Sequence, residues 1–201
     1  MQWGVVVPVK RLGVAKTRLR PYDGGVRRAL ALAMASDVVA AAWACPGVVE
    51  VLVVTNDPDA ADVLAAQGAR VVPDEPEAGL DAALLHGAAR LAPGLGAAAL
   101  TADLPALLPE DLQAALHQVD AGRGVVADAH GTGTTLLAAS GGTPLRPAYG
   151  PGSLERHVRD GARALAAAPG LRQDVDTPAD LARALRLGVG PRTAAVAAGL
   201  P

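Results

Sequence analysis

Trp3-Gly4-Val5-Val6-Val7-Pro8-Val9 is a short run dominated by valine, and a long Ala/Leu-rich stretch, Gly24–Ala44, separates it from a second such run, Val49-Glu50-Val51-Leu52-Val53-Val54-Thr55. A β-branched run, a helix-length segment and another β-branched run in succession read as parallel strands joined by a helical crossover. The alternation continues along the chain. Further strands are expected at Ala69–Val72, Ala97–Thr101, Gly124–Asp128 and Thr134–Ala139. Helices are expected at Gly24–Ala44, Pro58–Gln67, Leu80–Leu91, Pro109–Val119, Ser153–Ala167 and Pro178–Leu187. Asp57-Pro58 and Thr177-Pro178 each place a capping side chain before a proline at the first helical position. Asp180, three residues after Thr177, adds the second half of a capping box. This order of elements predicts an α/β fold built on a mostly parallel sheet.

The chain has 201 residues, which favours a single domain spanning 1–201, with 188–201 expected to fray at the end. Of its residues 51% are apolar, but 45 are alanine, 2% are aromatic and none is phenylalanine. The core is therefore expected to consist of many small Ala, Val and Leu contacts. A formal charge of −2 gives no positive field to attract nucleic acid or an anionic membrane, and two Trp and two Tyr make no stacking platform for bases. The lone Cys45 excludes an internal disulfide and every paired-cysteine metal pattern, and fits a reducing cytoplasm. Ala29–Cys45 is shorter than the ~20 residues of a membrane span and contains Ser36 and Asp37. The N-terminus lacks the order of charge and apolar run of a signal peptide.

In an open α/β sheet, ligands sit beyond the carboxyl ends of the strands, so the segments just after the strands are where chemistry is expected. The first runs from Val7 to Leu19 and carries Lys10 and Lys16, the only lysines among eighteen basic side chains. Two compact point charges six residues apart suit a phosphate chain, or else decorate a solvated loop. The segment is not a P-loop, because Lys10 and Ala15 stand where that pattern needs glycine. Asp103, in Thr101-Ala102-Asp103-Leu104-Pro105, would present a carboxylate at the sheet edge or cap a turn. Asp174 and Asp176 alternate about Val175, which puts both carboxylates on one side of an extended piece. Like charges that close favour a bound cation, and oxygen-only ligands favour magnesium, with manganese as the alternative. Gly131–Thr135 offers N–H and hydroxyl groups to an anion, and Gly150-Pro151-Gly152-Ser153 leads into a helix as an anion site or a plain cap. The four histidines show no metal-ligand spacing, and no Ser/His/Asp order stands out.

Together Val7–Lys10 with Ala15–Leu19, Thr101–Pro105, Gly131–Thr135, Gly150–Ser153 and Asp174–Pro178 resemble the guanylyltransferases that activate phosphoenolpyruvate or 2-phospho-L-lactate in the making of the deazaflavin coenzyme. The resemblance runs in order over nearly the whole chain. It implies a three-layer α/β/α sandwich of the nucleotide-diphospho-sugar transferase type. It also implies that GMP passes from GTP to a small phosphorylated carboxylic acid, releasing pyrophosphate. By the same resemblance Asp103, Asp174 and Asp176 hold magnesium, Lys10 and Lys16 meet the GTP phosphates, and Thr135, Gly150 and Ser153 bind the acid. Gly79 and Asp81 fall at the base-recognition segment, where the family usually shows Asn in place of Asp81, and Thr55 and Asn56 are further candidates there. Open alternatives are a nucleotidyltransferase for a molybdopterin or phospho-sugar acceptor, and a non-catalytic nucleotide-binding protein. Oligomeric state is not legible.

Overall fold

The computed structural model describes residues 1–20 and 22–200. Seven strands form one sheet: β1 (Trp3–Pro8), β2 (Val48–Val54), β3 (Arg70–Val72), β4 (Gly96–Leu100), β5 (Arg123–Ala127), β6 (Thr134–Ala139) and β7 (Ala162–Ala164). Their spatial order is β3-β2-β1-β4-β6-β5-β7. Pairing is parallel except on either side of β6, which runs antiparallel to both β4 and β5. The reversal brings the start of β6 to the edge where β4 and β5 end. The helices are α1 (Gly24–Ala44), α2 (Pro58–Ala65), α3 (Leu80–Ala88), α4 (Pro109–Leu116), α5 (Ser153–Arg159), α6 (Pro169–Arg172), α7 (Pro178–Leu187) and α8 (Pro191–Ala197).

Helices cover both faces of the sheet. On one face Val5 and Val7 of β1 pack with Ala35 and Val38 of α1, Leu64 of α2 and Leu112 of α4. On the other, Val6 packs with Ala83 and Leu84 of α3, and Leu154 of α5 lies against the same cluster. The three-layer α/β/α sandwich is thus present, and its core is made of the small residues the composition requires. Gly87 of α3 shows how close the layers come, since a Cβ there would lie 2.5 Å from Val6. No helix among the described residues is long and apolar enough to cross a membrane.

Two expectations need correction. The helix expected over Ser153–Ala167 ends at Arg159, and after Gly161, which takes φ +91, the chain adds the edge strand β7. At three residues, with only Ala162 buried, β7 is too short to show strand periodicity inside an Ala-rich run that reads as helix. The segment expected to fray carries α8, whose first N–H groups are met by Asp37 of α1: Arg192 N donates at 3.2 Å and Thr193 N at 2.8 Å. Asp37 therefore caps a helix 155 positions away. Pro201, the end of that expected tail, lies outside the described residues.

Candidate active site

The loop after β1 begins with a 3₁₀ turn, Leu12–Val14, and carries Lys16 in a left-handed conformation, φ +55. Such a backbone is costly for a side-chain-bearing residue and persists only where its surroundings hold it. The Lys16 ammonium donates to Asp103 Oδ2 and, at 3.1 Å, to Asp176 Oδ1. Burial would lower its pKa, but the charges of Asp103 and Asp176 outweigh that and hold it above the ordinary value. Arg18 donates to the other oxygen of Asp176 at 2.5 Å. Lys10 is exposed and makes no ion pair among the described residues.

Asp103 follows β4, and its carbonyl accepts the Val175 N–H at 3.1 Å, which lays the 174–176 piece beside it. Val175 is fully buried, whereas its neighbours Asp174 and Asp176 are half-buried, as their alternation requires. Burial, with the charges of Asp103, Asp176 and Asp128 behind it, pushes the Asp174 carboxyl up to about 7 against the pull of Lys16. Asp103 Oδ1 is buried without a hydrogen-bond partner among the described residues. The three aspartates the sequence singles out therefore gather at one edge. They do not enclose a metal position as placed: no group of three His, Cys, Asp or Glu side chains among the described residues could hold an ion. The physical reason is Lys16, whose ammonium joins Asp103 to Asp176.

The base-side candidates divide. Thr55 is buried and its hydroxyl accepts the Asp57 N–H at 3.1 Å. The Asn56 amide is engaged in both senses by Asp74, donating to its carbonyl and accepting its N–H, each at 2.9 Å. Both side chains thus hold the loops after β2 and β3. Gly79, at φ +99, precedes α3 with open space where a side chain would stand. Asp81 Oδ1 accepts the Tyr149 N–H at 2.9 Å, which links α3 to the glycine-rich approach of α5. Arg11 and Glu77 join the loops after β1 and β3 at 3.3 Å.

On the other side, Thr135 and Ser153 are each 1% exposed. The Thr135 hydroxyl donates to the Leu171 carbonyl at 2.7 Å, and that of Ser153 to Thr134 Oγ1 at 3.1 Å. Ser153 is not the cap of α5, because Gly152, left-handed at φ +70, takes that position and Ser153 becomes the first helical residue. Gly150 accepts the Ser153 N–H at 3.0 Å and has φ +113. Arg156 pins the same loop by donating to the carbonyls of Ala148 and Tyr149, both at 3.0 Å. Buried His157 accepts the Ala148 N–H at 2.8 Å, and burial lowers its pKa, so it is a neutral structural group. A cavity of about 330 Å³ opens between Gly131-Thr132 and α5, lined by Leu154 and Val158 among others.

Sequence reasoning passed over Asp128, Arg18 and Arg156. Asp128 directly follows β5, so the rule that picked Asp103 would have found it. Arg156 gives no such signal, because its partners are backbone carbonyls set by the fold.

The fold that brings Lys16 to Asp103 and Asp176 at its sheet edge is shared with solved nucleotidyl transferases. The chain resembles a nucleotidyl transferase from Methanothermobacter, TM-score 0.64 and 21% identity over 92% of this chain and 98% of that one. A Mycobacterium tuberculosis protein solved in complex with manganese is 26% identical over 92% of this chain and 99% of its own, TM-score 0.59. The family model described as "Guanylyl transferase CofC like" matches residues 3–193, and the chain belongs to that family. A curated relative, the phosphoenolpyruvate guanylyltransferase of Thermomonospora curvata, is 56% identical over all of this chain and 91% of that protein.

Proposed function

We propose that this guanylyltransferase moves GMP from GTP to the phosphate of phosphoenolpyruvate, or of the closely similar 2-phospho-L-lactate, as a step towards the deazaflavin coenzyme. The observation that carries the site assignment is the meeting of Lys16 with Asp103 and Asp176, residues 87 and 160 positions away, at the carboxyl edge of the sheet. The substrate assignment is supported by the relative's name and by its 56% identity over the full chain.

The acceptor phosphate oxygen is already anionic, so its attack on the α-phosphorus needs no general base. This agrees with the buried His157 being occupied in holding a loop. One P–O bond forms from the acid's phosphate to the α-phosphorus. The bond from that phosphorus to the bridging oxygen breaks, and the electron pair leaves with pyrophosphate. Two anions must be brought into line for this, so the chain's task is alignment and cancellation of charge. Lys10, exposed beside the edge, and Lys16, once released from the carboxylates, meet the triphosphate. The open backbone at Gly79 admits the nucleotide closely, and Arg156 and Asp81 hold the 148–150 loop for the acid.

With Lys16 withdrawn from between them, Asp103, Asp174 and Asp176 would have the chemistry to hold a divalent cation: all their donors are oxygens, and Asp103 Oδ1 is buried with no hydrogen-bond partner among the described residues. When bound, the ion supplies positive charge to phosphate oxygens and to the pyrophosphate leaving group. Lys16, which joins Asp103 to Asp176, would meet the triphosphate once those carboxylates are otherwise neutralised.

The experiment is pyrophosphate release from GTP, ATP or CTP with phosphoenolpyruvate, 2-phospho-L-lactate or a phosphoglycerate, with and without magnesium. The reading requires release from GTP with one of the first two acids, dependent on the ion. Release that ignores the acid, or that favours another nucleotide, contradicts it.

A further inference from the structure

Asp57 stands between the end of β2 and the first turn of α2, 5% exposed. Its two oxygens serve different elements. Oδ1 accepts the N–H groups of Asp59 and Ala60, both at 3.1 Å, and so caps α2. Oδ2 accepts the Leu12 N–H at 2.8 Å, across 45 positions of sequence. Leu12 opens the 3₁₀ turn that leads to Lys16, and the turn's own capping residue, Arg11, makes no side-chain capping bond. Without Asp57, the Leu12 N–H would be left unmet beside a buried side chain, a costly arrangement. Burial would raise the pKa of Asp57, but the N–H groups of Leu12 and Ala60, with Arg28 at 3.8 Å, hold it below the ordinary value. Both oxygens are therefore ionised acceptors at neutral pH.

Capping α2 needs only Oδ1, and a serine meets that need. The second oxygen is what reaches the lysine loop. We infer that Asp57 is a positioning residue for the nucleotide: by capping the 3₁₀ turn from the adjacent strand end, it sets where Lys16 and Lys10 stand. The inference rests on the proposed meeting of those lysines with the triphosphate.

The test compares Asp57→Ser, Asp57→Asn and Lys16→Gln by KM for GTP, KM for the phosphorylated acid, and melting temperature. Serine keeps the α2 cap and is too short to reach Leu12. Asp57→Ser is expected to raise KM for GTP on the order of tenfold, the effect of losing one hydrogen bond to a charged group, and to lower the melting temperature modestly through the unmet Leu12 N–H, while KM for the acid stays near wild type. Asp57→Asn, with one acceptor oxygen for two helix ends, is expected to fall between, and it provides the same reading if the serine variant does not fold. An unchanged KM for GTP in both Asp57 variants, with Lys16→Gln impaired, overturns this inference alone. A parallel rise in both KM values together with a lower melting temperature also overturns it, because that pattern marks a purely structural cap. An unimpaired Lys16→Gln overturns the triphosphate reading, and this inference with it.

Discussion

The Lys16 ammonium lies 3.1 Å from Asp176 Oδ1 and bonds Asp103 as well, so one side chain from the loop after β1 binds two carboxylates brought in from distant parts of the chain. The side chain of Lys16 is 12% exposed, so its charge is poorly screened and matters to both partners. A positive charge is needed among these aspartates whether or not substrate is bound. Lysine provides it in the free protein, and by the proposed function a divalent ion provides it when the lysine turns to phosphate.

Lys16→Gln should therefore destabilise the protein when divalent ions are chelated. The cost is expected at roughly 1–2 kcal/mol, less than that of breaking a fully buried pair, because Arg18 still faces Asp176. Millimolar magnesium should close most of the gap. Thermal melts with and without chelator check this, and equal melting temperatures under all conditions would contradict it.

Asp103→Asn keeps the size of the side chain and removes its charge. Loss of one well-placed stabilising group commonly costs on the order of 10²–10³ in rate, and that loss is expected in pyrophosphate release with GTP and the acid. Retention of more than about a tenth of the activity would separate Asp103 from the chemistry.

The Asp174 carboxyl, raised to about 7 from 3.8, makes stability depend on pH. Between those values the folded chain holds a proton that the unfolded chain has released, so this group's contribution falls as pH rises through about 4 to 7. Without divalent ions, Asp174→Asn should gain on wild type as pH rises through that window and hold the difference above it. Denaturant titrations from pH 4.5 to 8 would read this, and parallel curves would count against it.

Asp37→Ala removes the acceptor of the Arg192 and Thr193 N–H groups. The loss is expected near the usual capping value, about 1 kcal/mol, with faster amide exchange confined largely to α8 and the contacting part of α1. Exchange unchanged in α8 would show that other contacts hold it.

Much of this arrangement is legible in the sequence because it depends on local pattern. The valine runs place β1 and β2, the caps followed by proline place α2 and α7, post-strand position picks out Lys16 and Asp103, and alternation about Val175 picks out Asp174 and Asp176. What escaped depends on partners remote in sequence. Asp37 reads as a blemish in an apolar helix until α8 lies against it, and β7 hides in an alanine-rich run. Thr135 and Ser153 read as hydroxyls available to a ligand, yet the packing of α6 and α5 turns both inward. Asp57 reads as one cap and serves two. Side-chain direction and long-range bonding are set by tertiary packing, which spacing in a single chain does not encode.

The most direct measurement follows oxygen-18 placed in the phosphate of phosphoenolpyruvate during turnover with unlabelled GTP. Attack by that phosphate on the α-phosphorus keeps every labelled oxygen in the guanylylated acid and leaves pyrophosphate unlabelled by mass spectrometry. Label in pyrophosphate, or pyrophosphate formed with no guanylylated acid, would mean that the bond is made elsewhere.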